Sequence, residues 1–305
     1  MSQSGDHRIE PTGPEYGTRM SDGGAMTGAR RILVRTDVDW ASMNMERFAA
    51  QSNPNRPLAF IELIRRRGWL DAWAEAFTMD FFAYRSALQS ISAAAHERVP
   101  NTTITVGLDD LGWLDEHGDE WIFPVDDDDV FAPGMAEIIG PVDDDVVLVL
   151  RPQYYVFNPK SEPGHLTVLD ENRVMFTNNW GIRKSFVREL PEADVRELFA
   201  RHSDGTRIVA DALGRPGFAE RSEWLRHDLS GPRVDWSTTP FSLAVKHPGS
   251  STAMKNILFD AAPEDHVARL RAAMQLMTEP YDADPIGWAR PAIDDYQALA
   301  RACLG

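Results

Sequence analysis

The stretch "EWIFPVDDDDVFAPG", residues 120–134, decides how the rest of the chain is read. An apolar run from Trp121 to Val125 leads into four consecutive aspartates, and Val130 and Phe131 follow at once. Four like charges side by side repel one another, so a folded chain keeps them either in a solvated turn or around a cation. In an extended segment alternate side chains point the same way, which sets Asp126 and Asp128 on one side and Asp127 and Asp129 on the other. Two carboxylates on one side, at the carboxyl end of a strand, form a half-shell for Mg2+ or Mn2+. These ions take oxygen ligands and complete their shell with waters and substrate phosphates. Open α/β sheets bind ligands beyond the carboxyl ends of their strands, which suits this placement. The plain alternative, an acidic turn in solvent, also stands, and "PVDDDVV" at 141–147 reads that way.

Working outward, "RRILVRTDV" (30–38) predicts a short buried strand ending in polar residues. "RPLAFIELIRRRGW" predicts a helix stopped near Gly68. A clearer helix covers 80–98, where Phe81, Tyr84, Leu88, Ile91 and Ala95 recur at spacings of three and four. "TTITV" (102–106) alternates like a strand, and "APGMAEIIG" reads as one short helix with Pro133 near its start and Gly140 past its end. "DVVLVL" (145–150), "YYVF" and "FSLAVKH" (241–247) predict further strands, and "LTVL" and "RVMF" around "DEN" a hairpin. "LPEADVRELFARH", "PEDHVARLRAAMQLM" and "DDYQALARACL" read as helices. Helices and strands that alternate early and then cluster imply an α/β fold with a mixed sheet.

Composition bounds the function. With 305 residues, 43% of them hydrophobic, a sizeable core is available. A net charge of −16 argues against a nucleic-acid partner and against an anionic membrane surface. It leaves room for an anionic small substrate, because a bound divalent cation reverses the local sign. The single cysteine, Cys303, excludes an intramolecular disulfide and a Cys-rich zinc site. No run of 18 apolar residues predicts a membrane span, and no h-region marks a secretory signal, so a soluble cytoplasmic protein is expected. Residues 1–29, rich in Gly, Ser, Pro and charge, are expected to be a disordered lead, with 30–305 a single domain.

"WIFPVDDDDVFAPG" resembles the metal-binding segment of glycosyltransferases of the GT-A fold, where an Asp-x-Asp motif follows a hydrophobic strand and an apolar residue and Pro come after it. The order here is the same: strand, Asp126-x-Asp128, Asp129, Val130, Phe131, Pro133. The chain is most similar to bacterial rhamnosyltransferase-type enzymes. "FFAYRSALQSI" resembles their Arg-bearing helix, "FTNNWGIRKS" (176–185) their Asn–aromatic–Arg segment, and "PFSLAVKHPGSST" (240–252) their late strand ending in His–Gly–Ser. The likeness covers about residues 80 to 257, with Pro248 a departure between His247 and Gly249. It implies a three-layer GT-A-like sandwich with a mixed central sheet. It also implies a metal-dependent transfer of a sugar from a nucleotide-diphosphate donor to a hydroxyl acceptor, in polysaccharide or other glycan synthesis.

For single residues the resemblance implies roles beside which plainer ones stand. Mn2+ or Mg2+ would be held by Asp126 and Asp128, with His247 as a third metal or phosphate contact or merely a His at a strand end. Arg35 and Arg85 would contact the nucleotide and its phosphates, or be a surface Arg and an Arg snorkelling beside an apolar stripe. Asn178, Asn179 and Arg183 would meet the donor, or serve a turn and solvent. Glu223 and Asp228, in "ERSEWLRHDLSG", are candidates for the base that deprotonates the acceptor, or ordinary helix charges. Substitution of Asp126 or Asp128 would abolish turnover and leave the fold intact, and substitution of Asp127 would be milder, since an extended segment turns it away.

Two rival functions remain. A haloacid-dehalogenase-type phosphatase would use Asp126 as nucleophile and Asp128 as acid/base, but that family carries its motif on the first strand, and about 120 residues precede it here. A non-catalytic carbohydrate-binding protein on the same scaffold would use some of the nine Trp for sugar stacking.

Overall fold

A computed structural model describes residues 25–36, 38–44, 56–108, 110–157, 167–169, 175, 178–200, 202–214, 229, 231–281 and 284–305. In chain order the elements begin β1 (Ala29–Arg35), α1 (Arg56–Arg66), α2 (Trp69–Ala76), α3 (Phe81–His96), β2 (Thr102–Val106), β3 (Glu120–Asp126) and β4 (Val130–Phe131). There follow α4 (Met135–Ile139), β5 (Leu148–Leu150), β6 (Gln153–Val156), β7 (Thr167–Leu169), β8 (Trp180–Arg183) and α5 (Lys184–Val187). The chain continues through α6 (Glu192–Ala200), α7 (His202–Ala212), β9 (Val234–Trp236), β10 (Ser242–Val245), α8 (Ser251–Leu258), α9 (His266–Thr278) and α10 (Arg290–Leu304).

Alternation along the central strands builds the layers. On β3, Trp121, Phe123 and Val125 join Ile32 and Val34 of β1 on one face, while Ile122 joins Leu33 on the other. The first face meets Phe131, Met135 and Phe241; the second is covered by α6 and α7 through Val195, Leu198, Phe199 and Val209. The main sheet runs β2-β1-β3-β8-β5-β9. Strands β1, β2 and β3 are parallel, β8 is antiparallel to both β3 and β5, and β9 is parallel to β5. The chain is therefore α/β with a mixed six-stranded sheet flanked by helices.

A second sheet, β4-β10-β6-β7, lies beside the first. It shares a core with α1–α3 and α8–α10 through Val130, Val156, Leu243 and Val245. Gly181 of β8 explains itself here: the Phe123 ring occupies the place of a side chain, with Cε1 only 2.2 Å from where a Cβ would stand. Pro124 lacks a ladder N–H, and the β3–β8 pairing is confined to Trp121 and Ile122.

Most strand and helix expectations hold, including the buried Phe81, Tyr84 and Leu88 of α3 and the cap of α4 by Gly140 at φ 74°. Strand β7 pairs with β6, Gln153 opposite Leu169; of "RVMF", the other arm of the predicted hairpin, only Met175 is described. The folded part begins before residue 30, because Met26 is buried and its N–H bonds to the Ala136 carbonyl at 2.9 Å. Residues 1–24 lie outside the described residues. Among the described residues no helix is long and apolar enough to cross a membrane.

Candidate cation site

The aspartate run is a turn rather than an extended segment. Strand β3 ends at Asp126, whose carbonyl accepts from the Asp129 N–H at 3.1 Å, and β4 restarts at Val130. The turn breaks the alternation expected for an extended chain and regroups the carboxylates. Ligand atoms of Asp126, Asp128 and Asp129 all lie within 4.8 Å of one another. Such spacing suits three oxygens around one hard cation, whose bonds run about 2.0–2.6 Å. Asp129 is thus the third member of the set, which the sequence reading did not assign.

Asp127 is turned away as expected, but it is not idle. Its carboxylate accepts from Arg85 Nη2 at 2.6 Å, Gln89 Nε2 at 2.9 Å and Trp40 Nε1 at 3.1 Å, and it is buried. Asp128 accepts from Arg85 Nη1 at 2.6 Å and from His247 Nε2 at 2.9 Å, both on Oδ2, and its carbonyl accepts from the Tyr296 hydroxyl at 2.9 Å. Asp129 accepts the Val245 N–H on Oδ1 at 2.7 Å, while its carbonyl accepts from Ser92 Oγ at 2.7 Å. Asp126 is paired with Arg35 Nη2 at 3.1 Å.

One helix supplies most of this grip. Arg85, Gln89, Ser92 and His96 on α3 follow one another by four, three and four residues, so they form a single stripe along the turn. His96 at its end packs against Phe131, ring centroids 5.7 Å apart. A polar stripe running beside the apolar one was the signal available in the sequence.

The charges follow from these contacts. Burial works against the Arg85 guanidinium, but Asp127 and Asp128 outweigh it and keep its pKa above the usual value. Burial would raise the Asp128 carboxyl, yet the Arg85 charge and the His247 hydrogen bond hold it well below the carboxylate range. Burial, and then the Asp128 charge, push the Asp129 carboxyl above its ordinary value. Burial lowers His247, with Asp128 pulling the other way.

Both ring nitrogens of His247 have protein partners. The Gly249 N–H donates to Nδ1 at 3.1 Å, which leaves Nε2 as the protonated nitrogen, donating to Asp128. Engaged in this way, the ring orients Asp128. Gly249 is small for the same local reason: a Cβ would sit 2.7 Å from Tyr84 Cε1.

The turn forms one wall of a cleft of about 570 Å3 beyond the carboxyl ends of β1 and β3. Arg35, Thr36 and Lys246 face it, and Ser250, Ser251 and Thr252 bring the start of α8 to it. Val38, Trp40, Phe60, Leu108, Leu111 and Phe199 supply apolar lining. The Lys246 ammonium lies 4.6 Å above the Tyr155 ring. Burial disfavours its charge, but Asp129 and Tyr155 outweigh that and raise its pKa. Ser250 Oγ is spent on capping α8, accepting from the Ala253 N–H at 3.2 Å.

Other expected site residues fall elsewhere. Arg183 stands opposite Trp121, at the far end of β3 from Asp126, with its guanidinium over the Trp121 ring and its Nε on the Val146 carbonyl at 3.2 Å. It is therefore remote from the cleft, because β8 returns antiparallel. Asn178 and Asn179 are fully buried and line no part of the cleft. Asn179 Nδ2 donates to the Arg151 carbonyl at 2.9 Å, and the Arg151 N–H returns a bond to the Asn179 carbonyl. Arg85, by contrast, lines the cleft beside the aspartates and is held there by the two ion pairs given above. Glu223 and Asp228 lie outside the described residues.

No protein-family model matches this chain, and no curated protein matches it.

Proposed function

We propose that the protein is a metal-dependent glycosyltransferase of the GT-A type that takes a sugar from a nucleotide-diphosphate donor to a hydroxyl acceptor. The observation that carries this reading is the trio Asp126, Asp128 and Asp129, gathered at the carboxyl end of β3 on the wall of the cleft. The mixed sheet, with one antiparallel strand beside the Asp-bearing strand, agrees with it. So does the make-up of the cleft, which combines acids and bases with aromatic and aliphatic surface.

The donor set fits Mn2+ or Mg2+, being three carboxylates with no sulfur or free imidazole. A divalent cation, when bound, neutralises charge on the diphosphate as the glycosidic bond breaks. The chain's own contribution is to hold that charge in place. Arg35 and Lys246 face the cleft as cations for phosphate oxygens, and the hydroxyls of Ser251 and Thr252 stand at the start of α8. His247 and Arg85 fix the Asp128 carboxylate in one orientation. Among the described residues the carboxylates lining the cleft are Asp126 to Asp129 alone, so Glu223 and Asp228 remain the candidates for the acceptor base.

Titration calorimetry of a panel of nucleoside diphosphates, in Mn2+ and in EDTA, tests the reading. Binding is expected to need the cation and to be lost in Asp126→Asn. Equal affinity with and without Mn2+ for every nucleotide would overturn the proposal, as would a failure of the protein to cleave any sugar nucleotide.

A further inference from the structure

The protein is strongly acidic, yet its cleft is not. Four aspartates and four basic side chains, Arg35, Arg85, Lys246 and the rim residue Arg196, line it together. The four acids supply at most four negative charges against four positive ones, so a divalent cation arriving by itself leaves at least two positive charges in excess. An anionic co-ligand restores the balance. Of the four bases, Arg85 bears most directly on the trio, because its Nη1 is 2.6 Å from an oxygen of Asp128, one of the three ligating acids.

We propose that Arg85 is a built-in counter-ion that repels the divalent cation at Asp128, making cation binding weak alone and firm only with a phosphate-bearing co-ligand. The inference rests on the cation reading of the preceding subsection and adds the residue that sets its affinity. Arg85 is tied in place on more than one side. Its other terminal nitrogen is 2.6 Å from Asp127, its guanidinium carbon lies 5.0 Å from the centre of the Trp40 ring, and its side chain is 7% exposed. Asp127 is in turn held by Gln89 and Trp40. The positive charge therefore stays beside the site whether or not a cation comes, and the response to it is electrostatic rather than a displacement. Such an arrangement couples the cation to the donor: neither a free cation nor a free phosphate group satisfies the cleft, and the pair does.

The experiment measures Mn2+ affinity by electron paramagnetic resonance on the full chain, with and without inorganic pyrophosphate, for wild type, Arg85→Lys, Arg85→Gln and Asp126→Asn. Wild type is expected to bind Mn2+ alone weakly and to tighten with pyrophosphate. Arg85→Gln, which removes the charge and leaves one shorter amide donor, is expected to bind Mn2+ alone at least about tenfold more tightly. A like charge within a few ångströms shifts affinity for a proton by about one to three powers of ten, and a divalent ion feels the charge more. Arg85→Lys keeps the charge and is expected to stay near wild type. If Arg85→Gln binds Mn2+ as wild type does while Asp126→Asn loses it, the cation site stands and Arg85 is not its counter-ion. If no variant binds Mn2+ even with pyrophosphate, the cation reading itself falls. Should Arg85→Gln fail to fold, wild type still decides: Mn2+ affinity unmoved by pyrophosphate overturns the proposal.

Discussion

His96 links the helix that grips the aspartate turn to the acid stability of the whole molecule. Its ring is wholly buried at the end of α3, and neither nitrogen has a hydrogen-bond partner. Burial alone lowers its pKa from 6.5 to about 4. The folded protein therefore binds fewer protons than the unfolded chain between those values, and stability rises with pH across that window. The contribution is fully present above pH 6.5 and is lost as pH falls toward 4. Each pKa unit corresponds to about 1.4 kcal/mol, so the loss from this one residue is roughly 2 kcal/mol at pH 5 and roughly 3 kcal/mol at pH 4. His96→Leu removes the titration and two unpaired polar atoms at similar volume. At pH 8 it is expected to be as stable as wild type or more so, since replacing unsatisfied polar groups by apolar ones costs little. Urea unfolding at pH 8, 6 and 5 reads the difference directly, and the other titrating groups cancel between the two proteins. Wild type is expected to lose about 2 kcal/mol more than His96→Leu between pH 8 and pH 5. Parallel loss in the two proteins would refute the reasoning, and a large loss in His96→Leu at pH 8 would show that the ring does more than fill space.

Three further outcomes follow from the contacts. Asp127→Ala is expected to destabilise the protein by about 3 kcal/mol, because Arg85 loses one of its two buried carboxylates, whereas Asp126→Ala, a third exposed, costs about 1 kcal/mol or less. Denaturant titration of both variants checks this. Gly181→Ala forces a methyl into the Phe123 ring and is expected to cost about 1–3 kcal/mol or more, part of it recovered in the double variant with Phe123→Leu. His247→Ala is expected to weaken Mn2+ binding by about tenfold to a hundredfold without abolishing it, as befits a residue that orients Asp128; complete loss, measured by resonance titration, would make it a ligand.

Much of the architecture was legible because it rests on local patterns. The apolar runs that became β1, β3, β5 and β10 are buried on both faces and needed no partner to be recognised. The apolar stripe of α3 and the Gly140 stop of α4 are likewise properties of a few neighbouring residues. The direction of β8 is not. Nothing within "NNWGIRKS" says that this strand enters the sheet antiparallel between β3 and β5, and that single fact carries Arg183 to the far end of β3. Where a motif sits in sequence is then a poor guide to where its side chains emerge.

The aspartate turn shows the same limit at closer range. Alternation is a rule for a strand, and it held through Val125 because β1 pairs with β3 through Asp126. Beyond that point partners far away in sequence set the side-chain directions: Arg85 and Gln89 some forty residues earlier, Val245 and His247 well over a hundred later. Four adjacent carboxylates repel one another wherever they are placed, so the fold needs counter-charges and donors at fixed positions, and α3 brings them as a stripe. That requirement was readable in reverse. An amphipathic helix needs one apolar face, and α3 has it in Phe81, Tyr84 and Leu88. The neighbouring stripe of Arg85, Gln89, Ser92 and His96 is polar and yet largely buried, which a solvent-facing helix surface would not be. A second buried stripe of donors on one helix and an unexplained run of acids thirty residues on are two halves of one electrostatic problem, and pairing them locates the site without any knowledge of the sheet.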